Sequence, residues 1–403
     1  MKQRSSLAIL FVYVIVELLG YSLILPLLPY YATAFGAQPA LVGLLGTANA
    51  LAQIIGAPLI GRFSDRYGRR PLLILGTAAS LAAFVMLGLA RSLPLLFLSR
   101  IFDGFLGGNI SLAQAYITDI TDEKSRAKGL GIIGAAFGIG FIIGPAMGGL
   151  LSRWGYDVPA FAAAGLSAIN LLWILLSLPE SLTAERRAIL AMHPRPPITA
   201  RALLEALRRP RVGPLLHTRL FYSLAFGIFQ ANFALFALYR LGLESQSTGY
   251  ILAYVGLLAV LVQGVAIGRL TARFAERQLI FMGVILMTLA LFAWGFVPNV
   301  PLLLLVLAPL ALAGGTLNTV LNSLLTKAVA ADEVGGTLGL SAALQSLAGV
   351  IAPALGGLLL QRLGAWALGV SSSLIMASLI AFTWWHLLVE KPTQAGPLPQ
   401  AQG

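Results

Sequence analysis

Long apolar stretches, separated by short polar segments, recur along the whole chain. Twelve of them match the length of about 20 residues that a helix needs to cross the hydrocarbon core of a bilayer. We number them spans 1 to 12, and they comprise residues 7–31, 40–60, 71–90, 94–118, 129–152, 159–178, 214–239, 247–268, 278–297, 300–326, 335–360 and 364–388. The pattern therefore predicts an all-α membrane protein with twelve transmembrane helices.

The composition agrees with this prediction. Of the 403 residues, 58% are hydrophobic and only 10% are charged, and the mean hydropathy is +0.87. A soluble domain has about 25% charged residues, so the composition excludes a cytosolic enzyme and a disordered chain. The sequence contains no Cys, and its three His lack metal-ligand spacing. Because no catalytic motif occurs either, we expect no enzyme activity, no metal site and no cofactor.

Most basic residues lie on one side of the predicted membrane. Four of the 27 Lys and Arg residues fall in one set of alternating loops (Arg91, Arg153, Arg240 and Arg362), and Arg100 lies inside span 4. The other 22 lie at the N-terminus, in the opposite loops or in the C-terminal tail. By the positive-inside rule both termini are predicted to be cytoplasmic, so the net charge of +12 reflects topology rather than nucleic-acid binding.

The two halves of the chain resemble each other. The sequence GRFSDRYGRR at 61–70 aligns with GRLTARFAER at 268–277, and segment 131–151 aligns with 339–359 at nearly the same offset. Two parallel repeats with a cavity between them are typical of transporters. The predicted domains are a six-helix bundle at 1–178, a cytoplasmic linker at 179–213 with a short helix at 202–209, a second six-helix bundle at 214–389 and a cytoplasmic tail at 390–403.

Two acidic residues, Glu17 and Asp103, lie well inside the spans. An ionised group in hydrocarbon is costly, so an acid at this depth is a candidate for binding and releasing protons. Glu17 is the stronger candidate for proton coupling; the alternative is a neutral acid bonded to nearby backbone. Asp103 lies three residues after Arg100, and the two side chains could form an ion pair within one helix.

Polar and aromatic side chains recur at helical spacing on several spans. Such stripes indicate a wet cavity, although hydrogen bonds between packed helices produce the same pattern. An amphiphilic lining of this kind suits a lipophilic or amphipathic solute. The candidate cavity residues are Tyr13, Tyr21, Asn49, Gln53, Arg100, Ser111, Gln114, Tyr222, Phe226, Gln230, Phe233, Asn318, Asn322 and Gln345. Since no basic cluster beyond Arg100 is expected inside the spans, an anionic nutrient is disfavoured.

Three motifs carry a resemblance to a known family. They are GRFSDRYGRR at 61–70, the R-x-x-x-G pattern from Arg100 to Gly104, and the glycines and proline of span 5, namely Gly140, Gly144, Pro145, Gly148 and Gly149. The chain resembles the major facilitator superfamily, and within it the drug/proton antiporters with twelve helices, among them the tetracycline/proton antiporters. The resemblance implies two pseudo-symmetric six-helix bundles, with spans 1, 4, 7 and 10 around a central cavity.

The resemblance also implies roles for particular residues. Glu17 stands nine positions before Pro26, as an acidic residue does in the tetracycline antiporters, and the span 5 motif favours export. The family pattern implies a cytoplasmic gate in which Asp65 meets the start of span 11 near 335–337 and Arg69 pairs with Asp119. The gate residues by this resemblance are Gly61, Asp65, Arg66, Gly68, Arg69, Arg70 and Asp119.

These observations together predict a proton-coupled exporter of amphiphilic small molecules, such as drugs or tetracycline-like compounds, that works by alternating access. A lipid or lysolipid translocator on the same fold and a proton-coupled uptake symporter are the alternatives. The expected partners are the small-molecule substrate, protons and the lipid bilayer, with no nucleic acid. We expect a monomer in the inner (plasma) membrane of a bacterium.

Overall fold

The computed structural model describes residues 2–192, 199–330 and 333–389. The predicted tail at 390–403 lies outside the described residues. In the described ranges the chain is helical and contains no strand. Twelve segments are long and apolar enough to cross a membrane, which confirms the predicted number. They run Leu7–Ala34, Pro39–Tyr67, Arg69–Gly88, Leu93–Ile120, Ile133–Trp154, Asp157–Ser177, Gly213–Leu241, Ser245–Arg273, Glu276–Gly295, Val300–Lys327, Val334–Leu363 and Trp366–Val389.

The individual helices follow the spans closely. Several extend beyond the apolar stretch, as span 2 does to Tyr67, because a helix keeps its backbone hydrogen bonds after it leaves the hydrocarbon. The helices are Lys2–Ile24, Leu28–Ala34, Pro39–Tyr67, Arg69–Gly88, Leu93–Leu106, Asn109–Ile120, Glu123–Leu151, Asp157–Ser177, Ala184–Met192, Ala200–Arg208, Gly213–Leu241, Ser245–Leu261, Ile267–Arg273, Glu276–Gly295, Val300–Lys327, Val334–Leu363 and Trp366–Thr383. Short 3₁₀ or π segments occupy Ser152–Trp154, Val262–Ala266 and Trp384–Val389.

Two spans are broken into half-helices. Span 1 is interrupted before Leu28, where Pro26 removes a backbone donor. Span 4 is interrupted between Leu106 and Asn109, where the two glycines 107 and 108 weaken the helix. Irregular backbone at this depth requires burial in protein or contact with a water-filled cavity. The break in span 4 therefore marks a candidate functional position in the N-terminal half.

The linker contains two short helices that attach to different halves. Helix Ala184–Met192 packs against span 2, and helix Ala200–Arg208 packs against the start of span 7. The second of these helices occupies the position that the sequence suggested. Thr199 caps it by accepting a hydrogen bond from the Ala202 backbone, 3.2 Å away. We call the end of the molecule that carries these helices the linker end.

The two halves meet mainly at the end opposite the linker. Span 2 packs on span 11, and span 5 packs on span 8. The described hydrogen bonds that join the halves all lie toward this far end, including Thr47 Oγ1 to the Val350 carbonyl (2.6 Å) and the Tyr30–Thr248 hydroxyl pair (2.6 Å). Toward the linker end, no hydrogen bond or ion pair among the described residues joins the two six-helix halves. The described part of the molecule is therefore closed at the far end and open at the linker end.

Candidate functional site

The carboxylate of Glu17 accepts hydrogen bonds from three neighbouring spans. Asn109 Nδ2 of span 4 donates to Oε1 at 2.5 Å, Ser80 Oγ of span 3 donates to the same oxygen at 3.3 Å, and Asn170 Nδ2 of span 6 donates to Oε2 at 3.4 Å. Both asparagines and the serine are buried, whereas Glu17 itself is partly exposed. The acid therefore lies in a polar pocket within the N-terminal half that does not enclose it completely.

The break in span 4 positions Asn109 for this contact. Asn109 is the first residue of the second half-helix, so the carboxylate lies beside a helix start, where the dipole favours negative charge. Space for the amide comes from Gly76 of span 3, because a Cβ there would overlap Asn109 Oδ1. The oxygens Asn109 Oδ1 and Asn170 Oδ1 are buried and without a hydrogen-bond partner among the described residues. They are available as acceptors.

Sequence reasoning missed the donors of this pocket. Asn109 was not among the candidate site residues. Ser80 follows Thr77 by three positions in span 3, and Asn170 follows Ser167 by three in span 6, but neither residue was a candidate for the site. The available signal was the helical spacing of these polar residues in otherwise apolar spans, since a polar side chain in a span must find a partner.

Arg100 and Asp103 form the ion pair that their spacing suggested, with 3.4 Å between Nη1 and Oδ2. Both side chains are buried, and Asp103 lies within electrostatic range of Glu17. The Arg100 guanidinium also lies over the ring of Phe84, and Asn49 Nδ2 donates to the Arg100 carbonyl at 2.7 Å. Because its charge is balanced by Arg100, Asp103 is a weaker candidate for proton transfer than Glu17.

The predicted cavity residues separate into three groups. Seven of them are exposed: Tyr21, Gln53, Ser111, Gln114, Gln230, Asn318 and Gln345. Asn49, Phe226 and Asn322 are partly exposed, and Tyr222 is buried with its hydroxyl donating to the Gly314 carbonyl at 3.0 Å. For Tyr13 and Phe233 the cavity prediction was wrong. Tyr13 is fully buried and bonds Thr77 of span 3, and Phe233 packs edge-on against Phe229, because these faces of spans 1 and 7 point into the bundles.

Residues of the 61–70 motif form a cluster at the linker end. The guanidinium of Arg69 contacts Asp65 (2.7 Å), Asp119 (3.0 Å) and the Ser64 hydroxyl. The expected contact of Asp65 with the start of span 11 is not made among the described residues, because the halves are apart at this end. Gly61, Arg66 and Arg70 lie on the same segment, and Arg70 donates to the Leu175 carbonyl at 2.8 Å.

Glu180 anchors this cluster and was not predicted. Its carboxylate accepts from the backbone N–H groups of Arg69 and Arg70 at 2.9 and 3.1 Å, which caps the start of span 3. Gly68 turns the chain at φ +109°, and a Cβ there would overlap the Glu180 carboxylate. A glycine is therefore required both by the backbone angle and by the space. In the described ranges no group of three metal-ligating side chains is present here or elsewhere.

The span 5 motif makes close contacts on two sides. Cβ atoms added at Gly144 and Gly148 would overlap Ser22 and Leu23 of span 1, and Ser22 Oγ donates to the Gly140 carbonyl at 2.8 Å. On the other side, Gly149 lies against Ser245 and Gln246 of span 8. The Pro145 carbonyl lies against Gly249, also of span 8. Span 5 therefore joins the helix that carries Glu17 to the opposite half.

The comparisons with known proteins agree with this architecture. The family model described as Major Facilitator Superfamily matches residues 10–266 and 239–403. The chain is 31% identical to solute carrier family 67 member A1 of Homo sapiens over 392 residues, which cover 94% of this chain and 92% of that protein. It is 30% identical to the class C tetracycline resistance protein of Escherichia coli, over 88% of this chain and 89% of that protein.

A solved structure shows the same fold. The crystal structure of a bacterial homologue of the human lysosomal transporter Spinster, in an inward-facing and occupied conformation, superposes with a TM-score of 0.76. The alignment covers 94% of this chain and 96% of that chain at 17% identity. Together with the twelve spans, the bacterial efflux relatives support a multi-pass inner-membrane protein.

Proposed function

Because this chain belongs to the major facilitator superfamily of membrane transporters, we propose that it is a proton-coupled exporter of amphiphilic small molecules. The observation that carries the proposal is the polar pocket around Glu17, an acid inside a membrane span that remains partly exposed. Ionisable residues at this depth mark proton and substrate pathways in membrane transporters. Asp103 has a secondary role through its ion pair with Arg100.

The pocket accommodates both protonation states of Glu17. The ionised carboxylate is stabilised by the donors from Asn109, Asn170 and Ser80. When the acid takes up a proton, its O–H becomes a donor, and the buried Oδ1 atom of Asn109 or Asn170, which has no partner among the described residues, accepts it once that amide turns its oxygen toward Glu17. A group that is satisfied in both states exchanges its proton without leaving a buried polar atom unpaired.

Span 5 connects the proton-binding residue Glu17 to the contact between the two halves. Leu18, the neighbour of Glu17, touches Gly140 of span 5. The other side of span 5 contacts span 8 of the opposite half. A shift of span 1 when the charge on Glu17 changes therefore alters the contact between the halves. In alternating access, the far end would open as the linker end closes, and Asp65 would then meet the start of span 11 as the family pattern implies.

The amphiphilic character of the substrate follows from the cavity side chains. Tyr21, Phe226, Gln230, Asn318 and Gln345 combine aromatic surface with amides and are exposed or partly exposed. The tetracycline resistance relative and the span 5 motif support export. With both termini in the cytoplasm, the open linker end accepts substrate from that side.

Transport by purified protein in proteoliposomes tests the proposal. An imposed pH gradient should drive accumulation of tetracycline, and Glu17→Gln should abolish this proton-driven accumulation. Glu244→Gln is the matched control, because Glu244 is exposed at the start of span 8, away from the pocket. Undiminished proton-driven transport by Glu17→Gln would remove this residue from the mechanism. Movement of labelled lysolipid without competition from tetracycline would favour the lipid translocator.

A further inference from the structure

Arg219 is buried within span 7, although it lies close enough to the helix start to be counted among loop residues in the sequence. Its exposed fraction is 2%. Its Nη1 donates to Asn318 Oδ1 of span 10 at 2.8 Å, and its guanidinium carbon lies 6.0 Å from the centre of the Tyr222 ring. Arg219 is therefore a buried guanidinium within a span of the C-terminal half.

The charge of Arg219 is not balanced by a carboxylate. Three arginines are buried in the part of the chain that the structure describes, and two of them, Arg69 and Arg100, pair with aspartates. No Asp or Glu among the described residues lies within ion-pair distance of Arg219, and its Nε is buried without a partner. A buried cation without a counter-charge is costly, which indicates that an anion completes this position.

The surroundings of Arg219 fit the anionic end of an amphiphile. Because Asn318 Oδ1 accepts from Arg219, the exposed Asn318 amide has its Nδ2 donors free to face a ligand. Beside them, Phe226 stacks on Tyr222 with 5.7 Å between ring centres and is partly exposed. Donor groups thus lie next to aromatic surface, which is the arrangement that a carboxylate or sulfonate on a ring would require.

We propose that Arg219 and Asn318 bind the anionic group of the transported amphiphile, while the partly exposed ring of Phe226 contacts its apolar part. This inference rests on the proposed export function and narrows its substrates to amphiphiles that carry an acidic group. It replaces the expectation that anionic substrates are disfavoured, which assumed that Arg100 was the single basic residue inside a span.

A pair of probes that differ only in charge tests the site. Naphthoate and its uncharged amide, naphthamide, are measured for equilibrium binding to the purified full chain. We expect Arg219→Gln to weaken naphthoate binding by about tenfold or more, as for loss of a hydrogen bond to a charged group, and to leave naphthamide binding unchanged. Arg219→Lys, which keeps the charge, should preserve part of the preference for naphthoate.

The controls separate a binding role from a structural one. Arg240→Gln removes an exposed arginine at the other end of the same helix and should change neither affinity. If Arg219→Gln does not fold, Asn318→Leu should produce the same selective loss. Equal affinities of both probes for the wild-type protein, or equal losses of both in the variants, would overturn the site. Since binding is measured without a gradient, failure of proton coupling leaves this result intact.

Discussion

The side-chain amide of Asn109 donates to the carboxylate of Glu17 at 2.5 Å, and this hydrogen bond joins the broken middle of span 4 to span 1. A continuous span 4 would present a different residue at this depth. The break after Leu106 therefore determines which donor reaches the acid. Two features that look independent in the sequence, the Gly-Gly pair at 107–108 and a lone Glu in span 1, meet in one pocket.

Replacing Asn109 should affect proton-driven transport more than substrate binding. Asn109→Leu removes the closest donor at similar side-chain size, and a hydrogen bond to a charged group contributes about 1.5–3 kcal/mol. We expect the rate of transport driven by a pH gradient to fall about tenfold or more. Tetracycline binding to the purified variant serves as the control and should be retained. Full proton-driven transport in Asn109→Leu would show that this amide is dispensable.

Because only part of span 5 is closely packed, replacing two of its glycines by alanine should affect stability differently. A methyl group at Gly144 would overlap Ser22, so Gly144→Ala should destabilise the protein by about 1–3 kcal/mol. Gly134 has open space around it, and Gly134→Ala should leave stability unchanged or slightly raised by the better helix propensity of Ala. Thermal unfolding in detergent, followed by size-exclusion chromatography, measures both. Equal losses in the two variants would contradict the packing of span 5 on span 1.

The twelve spans were predictable because each must hold about 20 apolar residues, a requirement that is visible in the sequence without tertiary information. The orientation of a single side chain is set by the neighbouring helices. Tyr13 and Tyr21 both fall on the predicted stripe of span 1, yet Tyr13 is buried against Thr77 and Tyr21 is exposed. Arg219 falls inside the predicted span 7 but was counted with the basic residues of the preceding loop, and its burial against Asn318 was not predictable because it depends on how span 10 packs.

Two ion pairs at the linker end occupy corresponding positions in the two halves, but the acidic and basic residues are exchanged between them. Arg69 bonds Asp119 at 3.0 Å in the first half, and Glu276 bonds Lys327 at 2.9 Å in the second. The first pair is buried, whereas Lys327 is 63% exposed. Asp119→Asn should therefore destabilise the protein by about 1.5–3 kcal/mol. Glu276→Gln should cost less than about 1 kcal/mol. Chemical denaturation of both variants would detect the difference, and similar losses would contradict it.

Because Glu180 caps the start of span 3, removing its carboxylate should destabilise that part of the helix. Glu180→Ala removes the acceptor for the backbone N–H groups of Arg69 and Arg70, and loss of a helix cap costs about 0.5–2 kcal/mol. Glu185→Ala, in the first turn of the exposed linker helix, is the matched control and should cost less than about 1 kcal/mol. Hydrogen exchange at 69–72 should accelerate in Glu180→Ala. Unchanged exchange at these amides would show that water replaces the carboxylate without cost.

The contact between Thr47 and Val350 should control opening at the far end. Because the sequence contains no Cys, the double variant Thr47→Cys/Val350→Cys introduces the protein's two thiols. In the conformation described here the Thr47 hydroxyl lies 2.6 Å from the Val350 carbonyl oxygen, so an oxidant or a short bifunctional maleimide should link thiols at these positions, whereas Gly61→Cys/Gly335→Cys at the open linker end should not react with each other. Alternating access requires the far-end contact to break in every cycle. The linked protein should therefore stop transport, and a reductant should restore transport to the oxidised sample. Transport at the full rate while the link is intact would mean that substrate leaves by a path that does not pass between spans 2 and 11.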